Sequence, residues 1–211
     1  MKPPMHATRM NLLPPLIAAL ALAGALAMPA LSSAAKPAAK PGSGGGGRRN
    51  DAAAKAAFLA AAPVFVHPRC VSCHAPGDAP RQGINSHLHA QYVRRGEEGR
   101  GKYAMKCAAC HMTHNLPGEH LPPGAPGWKL PPAATPMAWL GKSPGDICRQ
   151  LKDPALNGRK SLAQIVSFVQ TAPVVKWGWD PGPGRAPAPG TQAEFVKQIS
   201  TWAANGAACP E

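Results

Sequence analysis

Apolar residues recur at helical spacing in two stretches near the end of the chain. Residues 161–172 have apolar side chains at 162, 165, 166 and 169, and residues 191–209 have them at 195, 196, 199 and 202. Steps of three and four residues place such side chains on one face of an α-helix. Each stretch is therefore predicted to be a helix, with Thr191 as the cap of the second.

Two further helices are predicted from composition and boundary residues. Residues 50–66 are dominated by alanine, follow an Asn-Asp pair that can cap a helix, and contain Pro63 as the expected end. Residues 143–154 begin with Ser143 and Pro144, which are typical of the cap and first turn of a helix, and stop at an Asp-Pro pair.

The region between these helices has no comparable periodicity. From 67 to 145, proline and glycine recur every few residues, and no alternating stretch predicts a strand of useful length. We expect short helical turns at the cysteine motifs, joined by long ordered loops. The predicted fold class is mostly α with extensive irregular loops.

The first 50 residues read as an export signal followed by a tether. Residues 1–35 combine a basic start, an apolar run at 12–28 and small residues suited to cleavage near Ala34 or Ala35. Residues 36–50 are a Pro/Gly/Lys-rich linker. We therefore expect residues 51–211 to be the mature domain, exported to the periplasm, without a stable membrane span.

The chain is strongly basic, with 23 Lys and Arg against 10 Asp and Glu. A basic surface could attract nucleic acid, anionic lipid or an acidic protein. Nucleic acid does not suit an exported protein, and the basic residues are scattered. They are interpreted mainly as solvated charge that could also steer docking to an acidic redox partner.

Two Cys-x-x-Cys-His motifs carry the chemistry of the sequence. They comprise Cys70, Cys73 and His74, and Cys107, Cys110 and His111. This spacing is the signature of c-type haem attachment. Two thiols about one turn apart reach the vinyl groups along one porphyrin edge, and the adjacent histidine binds the iron. The motifs predict two covalently bound haem c groups, hence a dihaem cytochrome c. The competing zinc site would leave a histidine after both pairs unexplained.

The two remaining cysteines, Cys148 and Cys209, lie outside any motif. In an oxidising compartment two such residues most simply pair. The predicted disulfide would join the helix at 143–154 to the C-terminal helix.

Chain reach limits which side chains can bind each iron opposite its motif histidine. The chain must round the macrocycle edge, which takes roughly six extended residues or more. Met112 and His114 are therefore too close to His111 to ligate the same iron. The remaining candidates are His87, His89 and Met105 for the first haem, and His120 and Met137 for the second. His89 and Met137 are the expected distal ligands; Met137 lies beside a proline and 26 residues after His111.

A Trp-Gly-Trp segment at 177–179 is the other conspicuous feature. Trp177 and Trp179 are interpreted as packing on haem faces or on the C-terminal helix. The alternative is an exposed aromatic contact for a redox partner.

Several segments together resemble a known family. They include GDAPRQG, HAQYVRRGEEGRGKYAMKCAACH, NLPGEHLPPGAPGWKLPP, GKSPGDICRQLKDP, VVKWGWDPGPGR and the closing GAACP. The resemblance, over about residues 64–210, is to small dihaem cytochromes c of proteobacteria, commonly labelled isoquinoline 1-oxidoreductase subunits and associated with exported molybdenum hydroxylases. It implies a periplasmic electron acceptor for such an enzyme.

The resemblance also bears on the distal ligands. It favours His89 over His87, because His89 matches a histidine that precedes the family's RG-x-x-G-x-G run. Met105 falls in the family pattern A-M-x-C-x-x-C-H and stays an alternative for the first haem. The family often has a histidine shortly before the W-G-W segment, whereas this chain has Phe168 near that place.

The function expected from the sequence is electron transfer rather than catalysis. Electrons would pass from a partner dehydrogenase or hydroxylase through the two haems to a downstream acceptor of the respiratory chain. The rival hypothesis is a dihaem peroxidase-like enzyme, which needs one open or displaceable iron site. A haem-stabilised binding module is a third possibility.

Overall fold

The computed structural model describes residues 49–211; the predicted signal at 1–35 and nearly all of the linker at 36–50 lie outside this range. Seven helical segments follow one another: α1 Asp51–Phe65, α2 Pro68–Val71, α3 Pro144–Lys152, α4 Pro154–Asn157, α5 Leu162–Thr171, α6 Pro173–Lys176 and α7 Gln192–Ala204. A 3₁₀ turn covers Cys107–Ala109, and two short strands, β1 Arg81–Gln82 and β2 His87–Leu88, form an antiparallel hairpin. The mostly helical class is confirmed.

Capping residues set the starts of the longer helices. The side chains of Ser143, Ser161 and Thr191 each accept a hydrogen bond from the backbone N–H of the third residue of α3, α5 and α7. The side chain of that third residue in turn accepts a bond from the backbone N–H of the cap, which completes a capping box. The four helices predicted from the sequence are confirmed, and the two Cys motifs lie on short helical turns as expected.

The predicted end of α1 at Pro63 is wrong by two residues. Pro63 lies inside the last turn, and the helix continues to Phe65. Proline at this place removes one N–H and its bond to the carbonyl four residues earlier. Val64 and Phe65 are 5% and 3% exposed, so their burial offsets the lost bond.

The hydrophobic core lies between α1, α3, α5 and α7. Trp202 of α7 is fully buried, packs on Phe58 of α1 with ring centres 5.3 Å apart, and donates from Nε1 to the carbonyl of Ala208. Phe65 extends this aromatic cluster to Trp139, at 5.0 Å, and thereby joins the helices to the loop region. The helices thus form the platform on which the loops are fixed.

The predicted disulfide is present. Cys148 of α3 and Cys209 lie 5.5 Å apart between Cα atoms and are bonded, with Cys148 fully buried. The bond fixes the chain that follows α7 against α3. Within residues 49–211, no helix is both long and apolar enough to cross a membrane.

Truncation of the central tryptophan should strongly destabilise the domain. Trp202→Ala removes a fully buried indole, and such changes cost about 3–5 kcal/mol. Phe168→Ala is the matched control, because Phe168 lies on α5 with 45% of its surface exposed. Denaturant unfolding should show a large loss for the first variant and less than about 1 kcal/mol for the second. Similar losses in both would contradict the proposed core.

The disulfide should contribute to stability mainly through the unfolded chain. The double variant Cys148→Ser/Cys209→Ser should lower the free energy of unfolding by about 4 kcal/mol, since a 61-residue separation is closed by the bond. Reductant should destabilise the wild type but leave the double variant unchanged. Equal unfolding midpoints for the two oxidised proteins would show that the bond contributes nothing.

Candidate haem-binding sites

The two Cys-x-x-Cys-His motifs have the same pattern of backbone hydrogen bonds, the first at α2 and the second at the 3₁₀ turn. His74 donates its backbone N–H to the carbonyl of Cys70 at 3.0 Å, and His111 donates to Cys107 at 2.9 Å. In each motif the second cysteine also donates to the carbonyl of the first, at 3.2 Å. Neither pair of cysteines forms a disulfide. The two motifs therefore share the backbone hydrogen bonds that join the first cysteine to the second cysteine and to the histidine.

The imidazole of His74 is held by backbone and aromatic contacts. Its Nδ1 lies 3.2 Å from the carbonyl oxygen of Met137, and its ring stacks on Trp139 at 3.5 Å with 7° between the planes. Since a carbonyl oxygen only accepts, Nδ1 must carry the proton. Nε2 then keeps its lone pair for a metal ion.

The imidazole of His111 is held in the same way by different residues. Its Nδ1 donates to the carbonyl of Pro123 at 2.6 Å, and Trp128 stacks on its face at 4.7 Å and 15°. Trp177 then packs edge-on against Trp128 at 4.8 Å. A metal-binding histidine commonly donates its other N–H to a carbonyl, which fixes the ring and its tautomer. Both motif histidines therefore have the hydrogen-bonded arrangement that is common among metal-binding histidines.

Electrostatics keeps both imidazoles neutral. The pKa of His74 is lowered to about 4, mainly by burial and partly by the charge of Arg95, against the opposing effect of the bond to Met137. Burial likewise lowers the pKa of His111, opposed by the bond to Pro123 and assisted by Arg185. A neutral ring is the form that binds a metal.

The thiols of the first motif are also neutral. Burial raises the pKa of Cys70 to about 12 and that of Cys73 to about 11. The thiolate is the nucleophile of dithiol redox chemistry, so these buried thiols are poorly suited to it. The charge of Cys107 contributes to the raised pKa of Cys73, next after burial.

A buried arginine connects the loops around the two motifs. Arg95 is 3% exposed and donates to the carbonyls of Ala75 at 3.2 Å, Gly77 at 2.8 Å and Pro131 at 2.8 Å. Two of these carbonyls follow the first motif, and the third belongs to the segment that leads back from the second. A single guanidinium therefore sets the spacing of three loop segments.

Asn115 has a similar role beyond the second motif. Its Oδ1 accepts from the backbone N–H of Gly124 at 3.1 Å and from Nε1 of Trp177 at 2.9 Å. Its Nδ2 donates to the carbonyl of Asp180 at 2.9 Å. These bonds fold the segment around Pro123 under His111 and fix the Trp-Gly-Trp segment beside it.

The structure brings only some of the predicted distal ligands near a motif histidine. The His89 ring lies 6.2 Å from that of His111, between ring centres. Met137 lies beside His74 through its carbonyl, and its partly buried side chain packs on the core. His87 and Met105 are exposed, with His87 bonded to side chains of its own hairpin. Exposed positions are also found for Met112, His114 and His120.

Sequence reasoning missed several residues of these sites. Trp128, Trp139 and Arg95 lie in no helical periodicity; Arg95 belongs to the RG-x-x-G-x-G run and Trp128 to another family segment, but neither segment indicated the role of the residue. Trp179 does pack on Phe195 of α7, at 5.6 Å, as one interpretation expected. Trp177 contacts Trp128 and so belongs to the surroundings of His111. The sequence signal for Trp128 and Trp139 was the presence of a large aromatic residue in a proline-rich loop, where a buried contact would be expected.

The residues present fit a pair of haem groups. Three buried side-chain nitrogens within residues 49–211 have no hydrogen-bond partner: Arg81 Nε, His89 Nδ1 and Trp139 Nε1. Two of them belong to rings in contact with a motif histidine. No cluster of three or more His, Cys, Asp or Glu suited to a metal ion occurs in this part of the chain. A haem iron does not need such a cluster, because the porphyrin provides four of its ligands and the chain provides only one or two.

Comparison with known proteins adds no assignment: no protein-family model matches the chain, and neither a curated protein nor a solved structure does.

The loop between the motifs should tolerate no side chain at Gly99. A Cβ there would lie 2.0 Å from the carbonyl oxygen of Leu130, and φ is +74°. Gly127 has a similar φ of +81° but open space around it. Gly99→Ala should therefore destabilise the domain by well over the roughly 1 kcal/mol expected for Gly127→Ala. Thermal unfolding of both variants measures the difference, and equal losses would contradict this close approach of the two loops.

Proposed function

We propose that the domain at 51–211 binds two covalently attached haem groups and transfers electrons in the periplasm. The observation that carries this proposal is the pair of Nδ1–H bonds from His74 and His111 to backbone carbonyls. In both motifs the bond places the proton on Nδ1 and leaves the lone pair of Nε2 available to a metal ion. Two such arrangements, each next to a Cys-x-x-Cys turn, are expected of two iron sites and have no evident purpose in a dithiol protein.

Each haem would supply a one-electron Fe(III)/Fe(II) couple when bound. The chain contributes four thiols for attachment and one imidazole to each iron. Trp139 and Trp128 cover a face of these imidazoles and exclude water from it. Met137 and Pro123 hold the imidazole N–H through their carbonyls, which increases the electron density at Nε2.

The partial burial of the two sites suits an exchange of electrons with other proteins. Cys110 is exposed, while Cys70, Cys73 and Cys107 are partly buried, so the attachment edge of the second haem would reach the surface. A haem edge at the surface is where electrons can enter or leave. The scattered Lys and Arg residues favour an acidic partner.

The source of electrons is proposed from the family resemblance. A periplasmic molybdenum hydroxylase would deliver them, and a component of the respiratory chain would accept them. The predicted signal at 1–35 and the disulfide both favour an oxidising compartment outside the cytoplasm. The domain is thus proposed to be an electron-transfer protein or the haem subunit of an oxidoreductase.

Removal of the thiols of either motif should remove one haem. The full chain is expressed with its own signal in a bacterium that attaches haem c. Pyridine haemochrome spectra and intact mass should give two haems for the wild type. Cys70→Ser/Cys73→Ser and Cys107→Ser/Cys110→Ser should each give one. A wild-type protein without covalent haem would refute the proposal.

Spectra of the purified oxidised protein distinguish the carrier from the peroxidase-like alternative. Two low-spin haems and rapid reduction by a small electron donor are expected of a carrier. A stable high-spin haem together with fast turnover of hydrogen peroxide would instead establish an enzyme with an open iron site.

A further inference from the structure

We propose that His89 and His111 are the two axial ligands of one iron, that of the haem attached at Cys107 and Cys110. This rests on the proposed function and adds a ligand set to it. The proposal moves His89 from the first haem, to which chain reach assigned it, to the second. The hairpin that follows the first motif would therefore complete the site of the other.

The distance between the two rings carries the proposal. A histidine nitrogen binds a metal ion at about 2 Å, and that nitrogen lies slightly more than about 1 Å from the centre of its own ring. Two imidazoles on opposite sides of one iron therefore have ring centres about 6 Å apart. The centres of His89 and His111 lie 6.2 Å apart. The 66° between the planes is compatible, because each ring can rotate about its bond to the iron.

The available atoms are those that such a pair requires. Nδ1 of His111 is bonded to Pro123, so Nε2 is its free nitrogen. The side chain of His89 makes no hydrogen bond to any described residue, and its Nδ1 is buried. An imidazole that is partly buried and unbonded is costly unless a partner is supplied. An iron bound at Nδ1 supplies that partner, since either nitrogen of a neutral imidazole can bind a metal ion.

The position of His89 is set by the hairpin of β1 and β2. Arg81 donates its backbone N–H to the carbonyl of Ser72, within the first motif, at 2.9 Å. The backbone N–H of His89 then donates to the carbonyl of Pro80 at 3.1 Å. These bonds tie the hairpin to the first motif at one end and hold the His89 ring towards the second.

An ordinary aromatic contact is the simplest competing explanation of the same pair. Edge-on rings occur at centre distances of 4.5–7 Å, so distance alone does not decide. Such a contact leaves both nitrogens of a partly buried His89 unused, whereas the proposed ligation uses one. The other candidates for this iron are placed less well: His120 is exposed, and Met137 lies beside His74.

The ligand pair has a consequence for the direction of transfer. Methionine raises the potential of a haem relative to histidine as the sixth ligand. With two histidines, the second haem would be the low-potential member if the first has methionine. Electrons would then enter at Cys107–His111 and move towards Cys70–His74.

The test uses the dihaem protein and three variants. His89→Ala should keep two covalent haems but convert half of the haem from low-spin to high-spin in electron paramagnetic resonance. Added imidazole should restore the low-spin signal. His89→Met should stay low-spin, gain the long-wavelength band of methionine–iron(III) ligation and raise the potential of one haem. His87→Gln, at an exposed position of the same hairpin, should change none of these properties.

The haem affected by the substitution is identified in the single-haem backgrounds. His89→Ala should produce a high-spin haem in Cys70→Ser/Cys73→Ser and should leave the spectrum of Cys107→Ser/Cys110→Ser unchanged. A crystal structure of the dihaem wild type decides the same question without any variant, since His89 must bind the iron opposite His111.

Two results would overturn the ligand proposal and leave the proposed function intact. One is a dihaem His89→Ala protein that remains fully low-spin. The other is a spin change, or an iron–His89 bond, at the haem of Cys70 and Cys73. Absence of covalent haem from the wild type would instead refute the proposed function itself.

Discussion

The loop half of the domain depends on one buried guanidinium. Arg95 donates to carbonyls in the loop after the first motif and in the segment after the second motif. Few apolar side chains are available in these loops to hold them together by packing. A buried cation without an ion pair is tolerated only when its N–H groups are satisfied. The carbonyls that satisfy it are thereby fixed in space. Through them the loop after His74 and the segment leading back from Trp128 keep a constant separation.

The sequence was sufficient where structure is decided locally. Cap residues and helical periodicity predicted α3, α5 and α7, because each helix is specified within its own residues. The prediction that α1 ends at Pro63 was wrong, because burial of Phe65 against the core outweighed one lost hydrogen bond. The cysteine pairing was predictable because two cysteines remained after the motifs were assigned.

The contacts around the motif histidines were not predictable in the same way. The stacking of Trp128 on His111 and the acceptance of the His74 proton by Met137 join residues 17 and 63 positions apart. No local rule specifies such pairs, and chain reach gave only a lower limit on separation. That limit explains why His89 was assigned by proximity in sequence to the first motif, although its ring lies beside the histidine of the second.

The hairpin formed by β1 and β2 limits where the chain can be cut into two fragments. It is tied through Arg81 to the first motif, while its last histidine lies against the second. A cut between residues 90 and 106 would therefore separate His89 from the His111 ring beside which it lies. The two motifs are not independent structural units, because the hairpin contacts both of them. A fragment carrying one motif would lack contacts that the other fragment holds, so neither fragment should reproduce the surroundings that its motif has in the whole domain.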